Sequence, residues 1–111
     1  MNIKFENAKF ADDCNDFKRL VRKFNLQRAK LTRRRLDDLR AAANLEVMRN
    51  LPGRCHELKG DRGGQLSLDL DGPYRLVFRP DHDPIPVKDD GGLDWSQVTT
   101  IVVLEVVDTH E

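Results

Sequence analysis

The sequence predicts an α+β protein in which two N-terminal helices pack on a small, mostly antiparallel β-sheet. Apolar residues recur at helical spacing through the N-terminal third, whereas apolar and polar residues alternate in two short runs, 66–70 and 74–78, that a turn separates. A further β-branched run follows at 101–107. With 111 residues, of which 39% are hydrophobic and 34% charged, the chain is expected to fold as one domain, residues 1–111.

Residues 3–5 are expected to form a short strand that precedes the helices. The first helix is predicted over 10–24, with aspartates early and basic residues late, which complements the helix dipole. Its spacing also makes Cys14 a core residue rather than a reactive thiol. The apolar face of this helix comprises Phe10, Cys14, Phe17, Val21 and Phe24.

A second helix is predicted after a break near Asn25. Its apolar stripe comprises Ala29, Thr32, Leu36, Leu39 and Ala43. We expect the two helices to form a hairpin across the sheet and a short helical turn to follow within 45–51. Three consecutive arginines at 33–35 suggest an RNA contact, but a solvated helix face is the more common meaning of such a run.

The residues of the hairpin at 66–78 determine its register. A loop of only Asp71 and Gly72 would leave the apolar residues of the two strands on opposite faces, whereas a loop that also includes Pro73 puts them on one face. On the other face the longer loop places Asp69 opposite Arg75, where the two side chains can form a cross-strand ion pair. The predicted pairs are Leu70 with Tyr74, Leu68 with Leu76 and Leu66 with Phe78.

The remaining sheet residues are expected in a strand near 55–59 and in a central strand at 101–107 that is covered on both faces. Proline, glycine and aspartate predict a long loop over 80–99. The loop residues 81–83, Asp-His-Asp, offer metal ligands but lack the further spaced ligand that a site needs. Trp95 is expected to anchor the loop to the core rather than to stack on a base.

The net charge is zero, but the two halves of the chain differ. Residues 1–60 contain 15 Lys and Arg against 8 Asp and Glu, a net charge of +7, and residues 61–111 contain 4 against 11, a net charge of −7. One part therefore suits a polyanion and the other a basic partner. Two cysteines without a C-x-x-C pattern, and no apolar run near 18 residues, indicate a cytoplasmic protein in a reducing compartment that does not enter a membrane.

The stretch 51–78 and the residues that follow it carry a family resemblance. The order Leu-Lys-Gly-Asp-Arg-x-Gly-x-x-Ser-Leu from Leu58, then Tyr-Arg-Leu-x-Phe from Tyr74, then Val-Val-Asp-Thr-His up to His110 resembles the HigB (plasmid maintenance killer) branch of the RelE/ParE toxin superfamily. The resemblance implies a RelE-like fold. It also implies the toxin of a type II toxin-antitoxin system, a ribosome-dependent messenger-RNA endoribonuclease without cofactor or metal. Its implied partner is a small HigA-like helix-turn-helix antitoxin, which alone would bind operator DNA.

Carried over position by position, the resemblance implies that His56, Lys59, Arg75 and His110 are catalytic. Attack of a 2′-hydroxyl on the adjacent phosphorus needs a proton acceptor, a donor for the leaving 5′-oxygen and cations for the non-bridging oxygens. We expect His56 or Lys59 to accept the proton and His110 to donate one. Arg75 is expected to hold the phosphate.

Arg62 and Arg79 are expected to contact RNA near these residues. Two positions depart from the family pattern, because Asp71 stands where relatives can have a basic residue and Thr109 where they often have tyrosine. Two alternatives stay open: a non-catalytic ParE-like toxin that binds and inhibits DNA gyrase, and, because of these two departures, a degenerate homologue that only binds its antitoxin. The neutral net charge disfavours binding to naked RNA, which fits a requirement for the ribosome.

Overall fold

The computed structural model describes residues 1–108, which form three α-helices and one five-stranded sheet. The strands are β1 (Asn2–Phe5), β2 (His56–Glu57), β3 (Leu66–Asp69), β4 (Tyr74–Pro80) and β5 (Thr100–Asp108). The helices are α1 (Ala8–Cys14), α2 (Phe17–Lys23) and α3 (Leu26–Ala41), and 3₁₀ turns span Leu45–Asn50, Gly60–Arg62 and Trp95–Gln97. The sheet order is β1-β5-β4-β3-β2, antiparallel except for the β1–β5 pair. The predicted mostly antiparallel α+β architecture is confirmed.

The region predicted as the first helix forms two helices, because Asp16 caps the N-terminus of a second one. Asp16 has an extended backbone (φ −132°, ψ 104°), and its carboxylate accepts hydrogen bonds from the N–H groups of Lys18 and Arg19 at 3.1 and 3.4 Å. A carboxylate in this position caps a helix N-terminus. The prediction of one helix over 10–24 is therefore wrong. The apolar spacing continues across the break, so periodicity did not reveal it.

The core lies between the helices and one face of the sheet. Leu36 and Leu39 of α3 are fully buried in one cluster with Leu68 and Phe78 of the sheet. The long second helix was predicted, and it begins at Leu26, after the Asn25 side chain accepts a hydrogen bond from the N–H of Arg28 at 2.8 Å. It ends at Ala41, so the prediction is wrong for Ala43, which lies beyond the helix and is exposed. None of the helices in the described residues is long and apolar enough to span a membrane.

Both cysteines pack against this core. Burial raises the pKa of the Cys14 thiol and that of the Cys55 thiol to about 12 each. Thiols with such values stay protonated at neutral pH and are poor nucleophiles. The prediction that Cys14 is a core residue is confirmed.

The hairpin between β3 and β4 has the predicted register. Leu66 lies opposite Phe78 and Leu68 opposite Leu76, and the N–H of Leu70 donates to the carbonyl of Tyr74 at 3.0 Å. A loop of residues 71–73 therefore connects the strands. The alternation of apolar residues was sufficient to fix this register because only one register buries both apolar sets together.

Strand β5 is paired on both sides, with β1 and β4, but it is covered on both faces only in its first part. Ile101, Val102 and Val103 are buried, whereas the strand becomes partly exposed from Leu104 onward. The prediction that the whole strand is covered on both faces is therefore wrong for its second half. Glu105 and Asp108 in that half are exposed.

Candidate functional site

The candidate site lies on the face of the sheet that points away from the main core. His56 pairs with Ser67, Ser67 with Val77, and Val77 with Glu105. Residues that pair across strands project to the same face. Asp69 and Arg75 pair two residues further along the same strands, so they share this face. We call it the outer face.

His56 and Arg75 are close on this face but are not in contact. One strand, β3, lies between them, so they are two strand spacings apart, and they are offset by two residues along the strand direction. With strands ~4.8 Å apart and ~3.4 Å per residue, their Cα atoms lie about 12 Å apart. An extended nucleotide backbone could therefore contact both side chains at once.

The ring of His56 is held in one tautomer. Its Nδ1 lies 2.8 Å from the carbonyl oxygen of Arg54. Because a carbonyl oxygen can only accept, Nδ1 must carry the hydrogen. In the neutral ring the lone pair then resides on Nε2, which makes no hydrogen bond to any residue in the described range 1–108. This nitrogen is therefore placed to accept a proton.

Arg75 forms the predicted cross-strand ion pair, with its Nε 2.9 Å from Oδ1 of Asp69. Its Nη1 donates to the carbonyl oxygens of Gly72 and Tyr74 at 2.9 and 2.8 Å. These partners lie at the turn of the hairpin, on the side away from His56. A phosphate that bound Arg75 would have to compete with them.

The other predicted cations have separate surroundings and no contact with His56 among the described residues. Lys59 is exposed at the end of β2 and forms no ion pair with another described residue. Arg62, in the next turn, donates to Gln65 Oε1 at 3.0 Å and lies 3.4 Å from Glu105 Oε2. Arg79 lies at the other end of β4 and is 4.0 Å from Asp81. His110 lies outside the described residues, as does Thr109.

Arg54 is a site residue that the sequence analysis missed. Its Nε and Nη2 donate to the two carboxylate oxygens of Asp69 at 2.9 and 3.2 Å, so this carboxylate holds two guanidinium groups, those of Arg54 and Arg75. The Arg54 carbonyl is also the group that orients His56. The sequence carried no signal for this contact, because it did not give the register of β2 against β3. The backbone also departs from regular pairing here, since the Asp69 N–H donates to the Gly53 carbonyl at 2.7 Å.

Two further arginines, both in α3, form hydrogen bonds to the hairpin at its turn. Arg28 donates to both oxygens of Asp71 at 3.0 and 2.9 Å, and its guanidinium lies 3.5 Å from the centre of the Tyr74 ring. Arg35 is buried and donates to the main-chain carbonyl of Asp69 at 2.9 Å. Asp71 is thus a partner of Arg28, which explains an acidic residue at this position.

The arginine run at 33–35 is not one solvated face. Arg33 stacks on the ring of Phe17 at 4.3 Å, and Arg34 lies 3.4 Å from Asp38. Arg35 is only 8% exposed. The expectation of a solvated run is therefore wrong for Arg35, because the hairpin carbonyl supplies it with a buried acceptor.

The loop residues that suggested a metal site or base stacking have structural partners. Asp81 pairs with Lys4 at 2.7 Å, and the hydrogen bond from Lys4 lowers its pKa. His82 Nε2 accepts from the N–H of Thr99 at 3.0 Å. Trp95 is 3% exposed and donates to Glu57 Oε2 at 3.1 Å, which confirms it as an anchor. Within residues 1–108 no cluster of metal-ligating side chains is present.

The ion pair between Asp71 and Arg28 contributes to the free energy of unfolding in a way that depends on pH. The hydrogen bond from Arg28 lowers the pKa of Asp71 below its usual value of 3.8. Its stabilisation is therefore complete above the unfolded-state pKa and is lost as the pH falls through the lower folded-state pKa. Asp71→Asn is expected to lower the free energy of unfolding at neutral pH and to flatten its decline in acid, measured by urea unfolding at a series of pH values.

The matched control for this prediction is Asp37→Asn. The Asp37 carboxylate is 63% exposed and lies 3.6 Å from Arg40, and such surface pairs contribute little. An acid profile of Asp71→Asn that coincides with that of the wild type would contradict the prediction.

Comparisons with known proteins found solved structures of similar fold. No family model matches the chain, and no curated protein matches its sequence. A YoeB/ParE toxin from Agrobacterium tumefaciens is similar in structure, with a TM-score of 0.60 and 12% identity over 99% of this chain and 100% of that one. The YoeB-YefM complex from Staphylococcus aureus has a TM-score of 0.53 and 20% identity over 100% and 98%. At these identities the likeness shows the fold alone: the chain has the α+β fold of the YoeB and ParE toxins.

Proposed function

We propose that this chain is the toxin of a type II toxin-antitoxin system and that it is a ribosome-dependent endoribonuclease that cuts messenger RNA. Two independent observations support the toxin class, namely the sequence resemblance to HigB-like members of the RelE/ParE superfamily and the fold shared with YoeB and ParE toxins. The HigB branch itself rests on the sequence resemblance.

The observation that carries the nuclease is the state of His56. Its Nδ1–H donates to the Arg54 carbonyl at 2.8 Å, which leaves Nε2 to accept the proton of a 2′-hydroxyl. The 2′-oxygen then attacks phosphorus, the bond from phosphorus to the 5′-oxygen breaks, and the 5′-oxygen takes a proton from His110. A 2′,3′-cyclic phosphate and a free 5′-hydroxyl result.

In this proposal the arginine and lysine side chains near His56 bind the phosphates of the RNA. Arg75 and Arg54, which share the carboxylate of Asp69, hold the non-bridging phosphate oxygens, and such stabilisation of transition-state charge contributes about 10² to 10³ in rate. Lys59 and Arg62 bind the flanking phosphates. Arg79 contacts RNA at the far end of β4.

One observation favours the ParE-like alternative, in which the protein binds and inhibits DNA gyrase without catalysis. The Arg75 guanidinium is already engaged by the carboxylate of Asp69 and by the carbonyls of Gly72 and Tyr74. An arginine with only this role would hold the hairpin together and would not take part in chemistry.

The partners follow from the proposed toxin class. One of the structural neighbours is a complex of YoeB with a second protein, YefM, which supports a protein partner for this chain. We assign that role to a HigA-like helix-turn-helix antitoxin, through which alone operator DNA is contacted, and place the protein in the cytoplasm. A neighbouring reading frame without such a protein would count against this assignment.

Primer extension on cellular messages after brief expression of the wild-type chain tests the nuclease. We expect cuts that keep one phase relative to the codons of translated messages. The same message without its start codon should remain intact, because the ribosome is required. Intact translated messages combined with trapped gyrase in a supercoiling assay would replace the nuclease with the ParE-like alternative.

A further inference from the structure

A cavity lies beneath the long loop, on the side of the sheet opposite His56. Its volume is about 220 Å³, and it is open to solvent. It is lined by Glu57, Leu66, Pro80, Ile85, Val87 and Leu93, among others. Leu66 pairs with Glu57 and Phe78, so it projects to the core side of the sheet. The cavity therefore lies on the other side of the sheet from His56, and one of its lining residues, Gln65, accepts a hydrogen bond from Arg62 at 3.0 Å.

Two side chains of this cavity are unusually exposed. Ile85 is 43% and Val87 59% exposed, and the other large apolar residues with exposed side chains in the described range, Leu26 and Val47, do not line the cavity. Isolated exposed apolar residues are ordinary, but here two of them border one apolar cavity. A cavity of this size holds a large apolar side chain, since one of ~150 Å³ accommodates benzene.

The loop presents Ile85 and Val87 in an ordered arm. Val87 forms an antiparallel bridge with Leu93, the Lys88 N–H donates to the Gly92 carbonyl at 2.7 Å, and the Asp94 N–H donates to the Pro86 carbonyl at 2.9 Å. Such an arm is already arranged before binding, so a partner would lose little of its affinity to ordering it.

The negative charge of the loop beside the cavity favours a basic partner. Residues 81–99 contain five aspartates against one lysine, and Asp89 and Asp90 lie in the turn that connects Val87 to Gly91. Asp83 and Asp89 are exposed and form no ion pair with another described residue. A nucleic acid would be repelled by this surface, whereas lysine and arginine side chains would be attracted to it.

We propose that this cavity is a docking site for a segment of a partner protein in which large apolar residues alternate with lysine or arginine. One apolar side chain of the segment enters the cavity against Ile85, Val87 and Leu93, and its basic residues lie over Asp83 and Asp89. The site does not depend on nuclease activity, because it lies on the other side of the sheet.

A short labelled peptide that alternates leucine with lysine is the probe, and its binding is followed by fluorescence anisotropy. The double variant Ile85→Ser/Val87→Ser is expected to weaken binding by at least about 10-fold, because two apolar contacts are lost. Asp83→Asn/Asp89→Asn is expected to weaken it as well and to reduce its dependence on salt. All four positions are exposed, so the variants should remain folded.

Val47→Ser is the matched control, since it removes an exposed apolar side chain that does not line the cavity, and it should leave binding unchanged. Peptides that alternate leucine with glutamate, or serine with lysine, should bind at least about 10-fold more weakly. Undiminished binding by the Ile85/Val87 variant, or equal binding of the glutamate peptide, would overturn the proposal. So would self-association of the wild-type chain that this variant abolishes, because the site would then belong to a second copy.

Discussion

Replacing His56 with alanine is expected to slow message cleavage by about 10²- to 10⁴-fold, the usual contribution of a positioned proton acceptor. The loss follows from the geometry of the ring, whose Nδ1 is committed to the Arg54 carbonyl while Nε2 is left to accept the proton. The substitution leaves the protein folded, because the ring is half-exposed and packs in no core cluster. Cleavage by the purified protein on programmed ribosomes measures the rate.

His82 provides a matched control for this substitution. Its Nε2 accepts hydrogen bonds from the N–H groups of Thr99 and Thr100 at 3.0 and 3.4 Å, so it holds the long loop against β5. His82→Ala is expected to lower the free energy of unfolding by about 0.5 to 1.5 kcal/mol and to leave the cleavage rate of the folded protein unchanged. Equal cleavage rates for His56→Ala and the wild type would remove His56 from the mechanism and favour the gyrase alternative.

The hairpin could be predicted from the sequence because its information is local. Leu66, Leu68 and Leu70 alternate with polar residues, and the loop residues 71–73 leave one register that buries them with their partners. The ion pair between Asp69 and Arg75 followed from that register without any further assumption. Where the spacing of apolar residues leaves only one register that buries them, the sequence is sufficient to predict the strand pairing.

The contacts that complete the site could not be predicted, because they join distant parts of the chain. Arg35 is 34 residues from Asp69 and Arg28 is 43 residues from Asp71, and nothing in an arginine-rich helix indicates which side chain will find a buried acceptor. The break at Asp16 was missed for the opposite reason. There a single capping side chain outweighs an apolar spacing that continues through it.

Gly53→Ala is expected to be the most destabilising of the glycine substitutions near the site. Gly53 has φ +114°, which a side chain rarely adopts, and a Cβ there would lie 2.8 Å from Nε of Arg35 and 3.1 Å from Cδ2 of Leu68. Both neighbours are buried and cannot move away freely. Backbone strain and overpacking each cost about 1 to 3 kcal/mol, so we expect a loss of roughly 2 to 5 kcal/mol, measured by urea unfolding.

Gly72→Ala is the matched control, because Gly72 also has a positive φ, +54°, but a Cβ there would meet no atom within 4 Å. It should cost only about 1 to 2 kcal/mol, the cost of the left-handed backbone. The difference between the two variants combines the contact with Arg35 and Leu68 and the greater backbone strain at φ +114°. If that contact is the cause, the double variant Gly53→Ala/Arg35→Ala will be more stable than the sum of the single effects predicts. Strict additivity of the two substitutions, or equal losses for Gly53→Ala and Gly72→Ala, would show that close packing against Arg35 and Leu68 is not the cause of the loss at Gly53.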